Sequence, residues 1–183
     1  MKKYFSILFC MFFISFLSRA QEAGYNTFDI GAEYQHFNSG SEMNLQVAFN
    51  AKIHHSIVVR AGYSSAARET PATHSSEEGN GWSGSIGYRY YFSVLPKRFF
   101  IGARAGIASM DMKWTFHTIE GTSSIMVFQP AFETGYTFLI NDQLFITPHL
   151  SAGIQTTMNN KGEKVAYGDG FNGGGGISVG WRF

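Results

Sequence analysis

Cysteine is almost absent from the chain: Cys10 is the only one among 183 residues. It lies within an apolar amino-terminal run that we expect to be removed, so the mature chain should contain no thiol. This excludes the disulfide-stabilised scaffolds that many small exported proteins use. The adjacent pair His54-His55 has no cysteine or nearby carboxylate to complete a metal site, and we expect neither a metal nor a cofactor.

Long apolar runs and charged residues are also scarce. After Leu17 no apolar run approaches the roughly 20 residues that a membrane-spanning helix needs. Charged residues make up only 15% of the chain, whereas aromatic residues reach 16%. Without Lys2, Lys3 and Arg19 the chain keeps 11 basic and 13 acidic side chains, a net charge of −2. This balance gives no indication of nucleic-acid binding.

Residues 1–20 have the pattern of a secretory signal peptide. Two lysines precede an apolar run from Tyr4 to Leu17, and a small-x-small triplet ends at Ala20. The run is too short to span a bilayer as a helix. We therefore expect cleavage after Ala20 and one mature domain over residues 21–183.

The mature chain alternates apolar with polar or small residues, which is the period of a β-strand. The pattern predicts about eight strands, at 24–37, 44–51, 57–64, 81–92, 99–110, 125–138, 144–155 and 173–183. Short turns are expected near His54, Pro96 and Asp142, and longer polar loops at 65–80, around 111–124 and at 156–172. An alternative for the second loop is that Trp114 and Phe116 continue the fifth strand above the membrane, with the turn at 120–122. Alternating short and long connections are typical of up-and-down membrane barrels. The fold class that we predict is an all-β transmembrane antiparallel barrel.

Two prolines fall inside predicted strands. Pro130 and Pro148 cannot donate a backbone hydrogen bond to a neighbouring strand. We expect a local bulge at each of them.

Alternation alone does not distinguish a membrane barrel from a soluble one, in which the apolar face would lie inside. The composition of the polar face decides between them, because a surface in water should be rich in lysine and glutamate. Here that face is rich in glycine, with serine, asparagine and glutamine. Small residues suit the interior of an eight-stranded barrel, which has just enough room for side chains. We therefore predict that the apolar face meets lipid.

The same parity turns charged residues of both signs inward. Buried ions need partners, and the planar guanidinium of arginine suits a carboxylate. We predict an interior ion network of seven residues: Asp29, Glu33, Arg60, Arg89, Arg104, Glu133 and Arg182. Two interpretations remain open, a structural plug that fills the interior and a narrow charge-lined pore.

The last strand carries apolar residues at two-residue steps and ends on an aromatic residue: Ile177, Val179, Trp181 and Phe183. This ending resembles the recognition signal of bacterial outer-membrane barrels, and the whole mature pattern resembles small barrels of the OmpX, OmpA-transmembrane-domain and OmpW types. The resemblance implies a place in the cell outer membrane. It also implies contact with membrane lipid and lipopolysaccharide, insertion by the barrel assembly machinery, and a monomer. It favours a structural or surface-interaction role without catalysis, with a narrow pore for small or apolar solutes as the alternative.

A second alternative is enzymatic. His149 and Ser151 share one strand face and Glu163 follows, so the acid could orient the imidazole and the imidazole activate the hydroxyl. The arrangement is similar to the His-x-Ser and later Glu of the PagL-type lipid A deacylases. That family has Asn directly after the serine, where this chain has Ala152. Parity also turns His149 and Ser151 inward, away from lipid.

Overall fold

The computed structural model describes residues 27–51, 54–70, 74–93, 99–116, 119–162 and 169–183. The predicted signal peptide, the turn near Pro96 and Glu163 lie outside these residues. In the described part of the chain no helix is long and apolar enough to cross a membrane. The strands are β1 (Thr27–Phe37), β2 (Gly40–Ala51), β3 (His55–Thr70), β4 (His74–Tyr91), β5 (Phe99–Phe116), β6 (Ile119–Tyr136), β7 (Phe138–Ile140), β8 (Leu144–Lys161) and β9 (Gly170–Arg182).

The strands form a closed antiparallel ring. Each strand from β1 to β6 pairs with the next, β6 and the short β7 pair with β8, and β9 pairs with both β8 and β1. β6 and β7 lie end to end, interrupted at Thr137, and both pair with β8. They therefore occupy one strand position, and the ring has eight strand positions. The predicted barrel of about eight strands is confirmed.

The ring is strongly staggered. Cross-strand pairs lead once around the wall from Thr27 on β1 and return to β1 at Phe37, ten residues further on. The intervening partners are Asn50, Ser56, Arg89, Gly102, Glu133, Ser151 and Gly174. Such a stagger tilts the strands and is required to close a sheet into a barrel.

The apolar face points outward, as predicted. Val59, Ile86 and Val179 expose 52%, 57% and 43% of their surface, whereas Arg60 and Arg89 are buried. Aromatic side chains collect on the outer surface near both rims. The lower rim, where β1 begins and β9 ends, carries Tyr88, Phe92, Phe138, Trp181 and Phe183, and the upper rim carries Tyr34, Tyr63, Trp82 and Phe128.

Most of the residues predicted as loops lie in strands, and the continuation of the fifth strand through Trp114 and Phe116 is confirmed. Residues 65–70, 74–80, 111–116, 119–124, 156–161 and 170–172 continue the strands. The reason is visible on β5, where the outward residues change from Ile101 and Ile107 to Asp111 and Lys113, while the inward ones change from Arg104 to Met112. The polar pattern indicated a wall that leaves the membrane, since a strand above the lipid faces water on its outside.

This extension makes the wall uneven. β1 and β2 end at a tight turn near Ser39, whereas β3 to β6 and β8 run to 16–18 residues each. These five strands extend beyond the turn between β1 and β2. The extensions form a protruding sheet, defined here as residues 67–70, 74–80, 111–116, 119–124 and 156–161. At the opposite end the predicted turn at Asn141-Asp142 is confirmed, and both residues have the positive φ of a type I′ turn.

The expected bulges at Pro130 and Pro148 are absent. The β6–β8 pairs on both sides of Pro130, Phe128 with Thr156 and Ala131 with Gly153, keep one register. The pairs on both sides of Pro148, Gly135 with His149 and Phe138 with Ile146, do so too. Each proline therefore interrupts the ladder without inserting a residue. A register shift in this ladder lies instead between Met126 and Val127.

The assignment of inward and outward faces can be tested with two substitutions on β5. A Cβ at inward Gly102 would lie 2.5 Å from the Tyr88 carbonyl oxygen and 3.2 Å from Glu133 Cγ. We expect Gly102→Val to destabilise the folded barrel by about 1–3 kcal/mol, the usual effect of overpacking. Urea unfolding of the barrel in lipid vesicles measures this loss. The control Ala105→Val, which faces outward, should leave the urea midpoint unchanged. Equal losses in both variants would contradict the assigned faces.

Candidate functional site: the charged interior

The interior site is assembled from single residues contributed by many strands. Because alternate residues of each strand face the lumen, β1 supplies Asp29, Glu33 and Gln35, and the other strands add further buried polar side chains, with four each on β2 and β8. The seven charged residues predicted for the network are all buried: Asp29, Glu33, Arg60, Arg89, Arg104, Glu133 and Arg182. Glu42 and Glu77 are buried as well and were not predicted.

Four of these residues form a central cluster. Arg60 Nε lies 3.0 Å from Glu33 Oε1, and Arg60 Nη2 lies 3.0 Å from Glu133 Oε2. Arg89 Nε donates to Glu133 Oε1 at 2.9 Å, and its Nη2 lies 4.0 Å from Glu33. The cluster carries two positive and two negative charges, so each buried ion has a compensating neighbour. Arg60 on β3 thus connects β1 with β6 through the lumen.

Arg104 makes a different connection. It contacts no carboxylate among the ion pairs between described residues; its Nη1 donates to Gln35 Oε1, and its guanidinium lies 5.3 Å from the centre of the Phe37 ring. Gln35 Nε2 in turn lies 2.6 Å from His149 Nε2. The chain from Arg104 on β5 through Gln35 on β1 to His149 on β8 crosses the lumen. Gln35 was not predicted as a site residue, although its parity with Glu33 could have indicated it.

Asp29 and Arg182 form a separate pair near the lower rim. Arg182 Nε donates to Asp29 Oδ1 at 2.8 Å and its Nη2 to Oδ2 at 3.2 Å, the two-point contact that suits a guanidinium. The pair joins β1 to β9, where the ring closes. Beside it, the backbones of Phe28 and Phe183 exchange two hydrogen bonds of 3.1 and 2.8 Å.

The upper interior has the opposite chemistry. A cluster of buried apolar side chains fills it above the ion network: Ala66, Ala108, Met110, Met112, Trp114, Ile125 and Val127. These residues alternate with the polar outward residues of the protruding sheet. The interior is therefore charged at the level of the lipid and mainly apolar above it, where Glu77 and Ser123 are buried polar exceptions.

Of the three candidate catalytic residues the structure describes His149 and Ser151, and no hydrogen bond joins their side chains. His149 Nε2 is engaged by Gln35, and its Nδ1 lies 3.3 Å from the Thr147 carbonyl oxygen. Ser151 Oγ is buried, and among the described residues it has no hydrogen-bond partner. Both side chains face the lumen, where the acyl chains of membrane lipid do not reach, and Glu163 lies outside the described residues.

The described residues also contain no cluster of three or more histidine, cysteine, aspartate or glutamate side chains that could hold a metal ion. What the interior offers is a set of paired charges and amide contacts. Its chemistry suits filling and fixing the barrel.

Comparison with known proteins finds similarity at the level of structure. No protein-family model matches the chain, and no curated protein sequence does. A major outer membrane protein from Thermus thermophilus is similar with a TM-score of 0.58 and 12% identity, over 86% of this chain and 99% of that one.

Two further solved structures share the fold. The N-terminal β-barrel domain of Pseudomonas aeruginosa OprF is similar with a TM-score of 0.54 and 12% identity, over 87% of this chain and 98% of that one. Ail, the attachment invasion locus protein of Yersinia pestis, is similar with a TM-score of 0.53 and 12% identity, over 87% and 99%.

At this identity the likeness is one of fold, and the outer surface supplies the rest of the argument. A ring with polar residues inside and an apolar band with aromatic rims outside is built to be surrounded by a bilayer. Such a band is suited to contact with lipid, and the chain therefore has the fold and the outer surface of the small β-barrels of the bacterial outer membrane.

Proposed function

We propose that the protein is a non-conducting, non-catalytic barrel with a structural or surface-interaction role, and that it meets its partners through the protruding sheet. The observation that carries the proposal is the bridged lumen. Arg60 joins Glu33 to Glu133, and Arg104 joins Gln35 on the far wall. An eight-stranded barrel has room only for its own side chains, and here those side chains meet across the axis.

The outer face of the protruding sheet is the surface available to partners. It combines acidic, basic and amide or hydroxyl side chains on adjacent strands: Glu78, Asn80, Asp111, Lys113, Glu120, Thr122, Ser124 and Lys161. Lys113 lies between Glu78 and Thr122 in the strand pairing. The position just above the apolar band suits contact with lipopolysaccharide or with molecules outside the cell. Since one structural neighbour is named for attachment and invasion, attachment is the role to test first.

The proposal also keeps the predicted role of the last strand. Ile177, Val179, Trp181 and Phe183 point outward and are exposed along the closing seam. We propose that the barrel assembly machinery recognises this face during insertion.

The bridged lumen should not conduct ions. Purified protein, with insertion verified by the migration difference between heated and unheated gel samples, should give no stepwise current in a planar bilayer. A porin in the same bilayer serves as the positive control. Reproducible current steps from the inserted protein would replace this proposal with the narrow-pore alternative.

The ion network should contribute strongly to stability. Glu133→Gln leaves Arg60 and Arg89 with one carboxylate between them, and we expect a loss of about 3–5 kcal/mol, as for other buried pairs deprived of one partner. Urea unfolding in lipid vesicles measures it. The matched control is Glu120→Gln on the same strand, an exposed position that should change stability by less than about 0.5 kcal/mol. A Glu133→Gln barrel as stable as the control would show that the network is dispensable.

The protruding sheet should face the outside of the cell, because the longer extramembrane parts of such barrels lie there. Since the mature chain should lack cysteine, single substitutions report the orientation directly. A membrane-impermeant maleimide applied to intact cells should label Lys113→Cys and leave Gln143→Cys, in the turn at the lower rim, unlabelled until the cells are broken. The reverse labelling would place the sheet in the periplasm.

A further inference from the structure

The outer wall carries a groove on the lipid-facing side of β4, β5, β6 and β8. Its volume is about 750 Å³, within the range of small-molecule sites. Two rows of cross-strand neighbours line it, first Tyr88, Ala103, Phe132 and Ala152, and below them Tyr90, Ile101, Thr134 and Leu150. The small Ala103, with larger side chains on both sides, forms the floor.

The ladder gap caused by Pro148 lies directly below the lower row. The register of the flanking pairs places Pro148 opposite Tyr136, two residues beyond Thr134 and Leu150. At this point of the ladder β6 and β8 are not paired. Which backbone N–H or C=O loses its partner here depends on whether Tyr136 and Pro148 direct their backbone groups towards each other.

Residues of an antiparallel strand direct their N–H and C=O to the same neighbour and alternate between the two neighbours. The Phe99 carbonyl accepts from Phe92 N on the β4 side, at 3.2 Å. Phe99 therefore turns its backbone groups away from β6. Its pairing partner Tyr136 must then direct its own groups to β8, where Pro148 stands.

The hydrogen bonding between β8 and β9 leads to the same conclusion for Pro148. Arg182 N donates to the Gln143 carbonyl at 2.7 Å, which fixes odd-numbered residues of β8 as the ones bonded to β9. Pro148, paired with Ile177, thus turns its nitrogen to β6. Proline has no N–H, so it supplies no ladder donor to the Tyr136 carbonyl.

This carbonyl lies at the level of the lower aromatic rim. Tyr136 packs on Phe138 with ring centres 4.6 Å apart, and exposed Phe92 and Phe99 complete the row. Aromatic rims of membrane barrels mark the headgroup level. Backbone groups at membrane depth need a hydrogen-bond partner, and at this level a lipid headgroup can supply one.

We propose that the groove is a binding site for a phospholipid with an N–H donor in its headgroup. One acyl chain fills the groove over Ala103, and the primary ammonium of a phosphatidylethanolamine-type headgroup donates to the Tyr136 carbonyl in place of the missing proline N–H. A quaternary ammonium headgroup has no N–H and cannot make this bond. The site requires the membrane location of the barrel and is independent of what the protruding sheet binds.

The test is native mass spectrometry of the protein released from nanodiscs that contain equal amounts of phosphatidylethanolamine and phosphatidylcholine with identical acyl chains. The wild type should retain phosphatidylethanolamine at least about tenfold over phosphatidylcholine, as expected for a hydrogen bond from a charged donor. Pro148→Ala restores the N–H, so it should lower the retention of phosphatidylethanolamine to that of phosphatidylcholine. Ala103→Phe fills the floor and should remove retention of both lipids.

Each variant has a matched control on the same barrel. Pro130→Ala restores the ladder at the other gap of the same seam, away from the rim, and should leave the headgroup preference unchanged. Ala61→Phe adds the same side chain to an outward position on β3, outside the groove, and should leave retention unchanged. Equal retention of the two lipids by the wild type, or an unchanged preference in Pro148→Ala, would overturn the proposal, provided that heated and unheated samples show folded barrels.

Discussion

Inside a bilayer each backbone N–H and C=O must find its partner within the protein, because acyl chains offer none. The closed ring satisfies this constraint, and most of the remaining architecture follows from it. Closing β9 onto β1 removes both edges of the sheet, and the Asp29–Arg182 pair stands at that seam. Once the ring is closed, strict alternation sends half of the side chains to lipid and half to the lumen.

The lumen has little volume, and this decides how its charges are arranged. Glycines at positions such as Gly87 and Gly102 leave space for the long arginines of neighbouring strands: a Cβ at Gly87 would lie 3.3 Å from Arg60 Nη1. The arginines can therefore reach across the axis to Glu33, Glu133 and Gln35. The same contacts that neutralise the buried charges also cross the lumen, so the ion network connects the stability of the barrel with its proposed lack of conductance.

The β6–β8 seam departs from the general constraint. Both in-strand prolines lie on it, and both turn their nitrogens across it, so two ladder bonds that other seams make are missing here. The apolar groove lies between these two gaps on the outer wall. At the headgroup level this seam leaves the Tyr136 carbonyl without a ladder donor from Pro148. We propose that this carbonyl gives the lipid a defined binding position on the outer wall.

Much of this could be predicted from sequence, since period-two patterns depend only on neighbours along the chain. The alternation around Val59, Ile86 and Val179 predicted the strands, their faces and the ring size, and parity alone turned Arg60, Arg89 and Glu133 inward. Most of the strand extensions were missed because the chemistry of the two faces exchanges above the lipid. On β5 the apolar residues change from odd to even positions between Ile107 and Met110, a signal that left a continuation through Trp114 and Phe116 open beside a loop.

The sequence by itself determined which side of each strand meets lipid, because that depends only on the order of residues within one strand. Only the tertiary structure decided which charges meet. The partners Glu33, Arg60 and Glu133 stand on three different strands, and the register and stagger of the closed ring bring them to one level. It also decided that Pro148 faces Tyr136, since the direction of a proline nitrogen depends on pairing with both neighbouring strands, which no local pattern records.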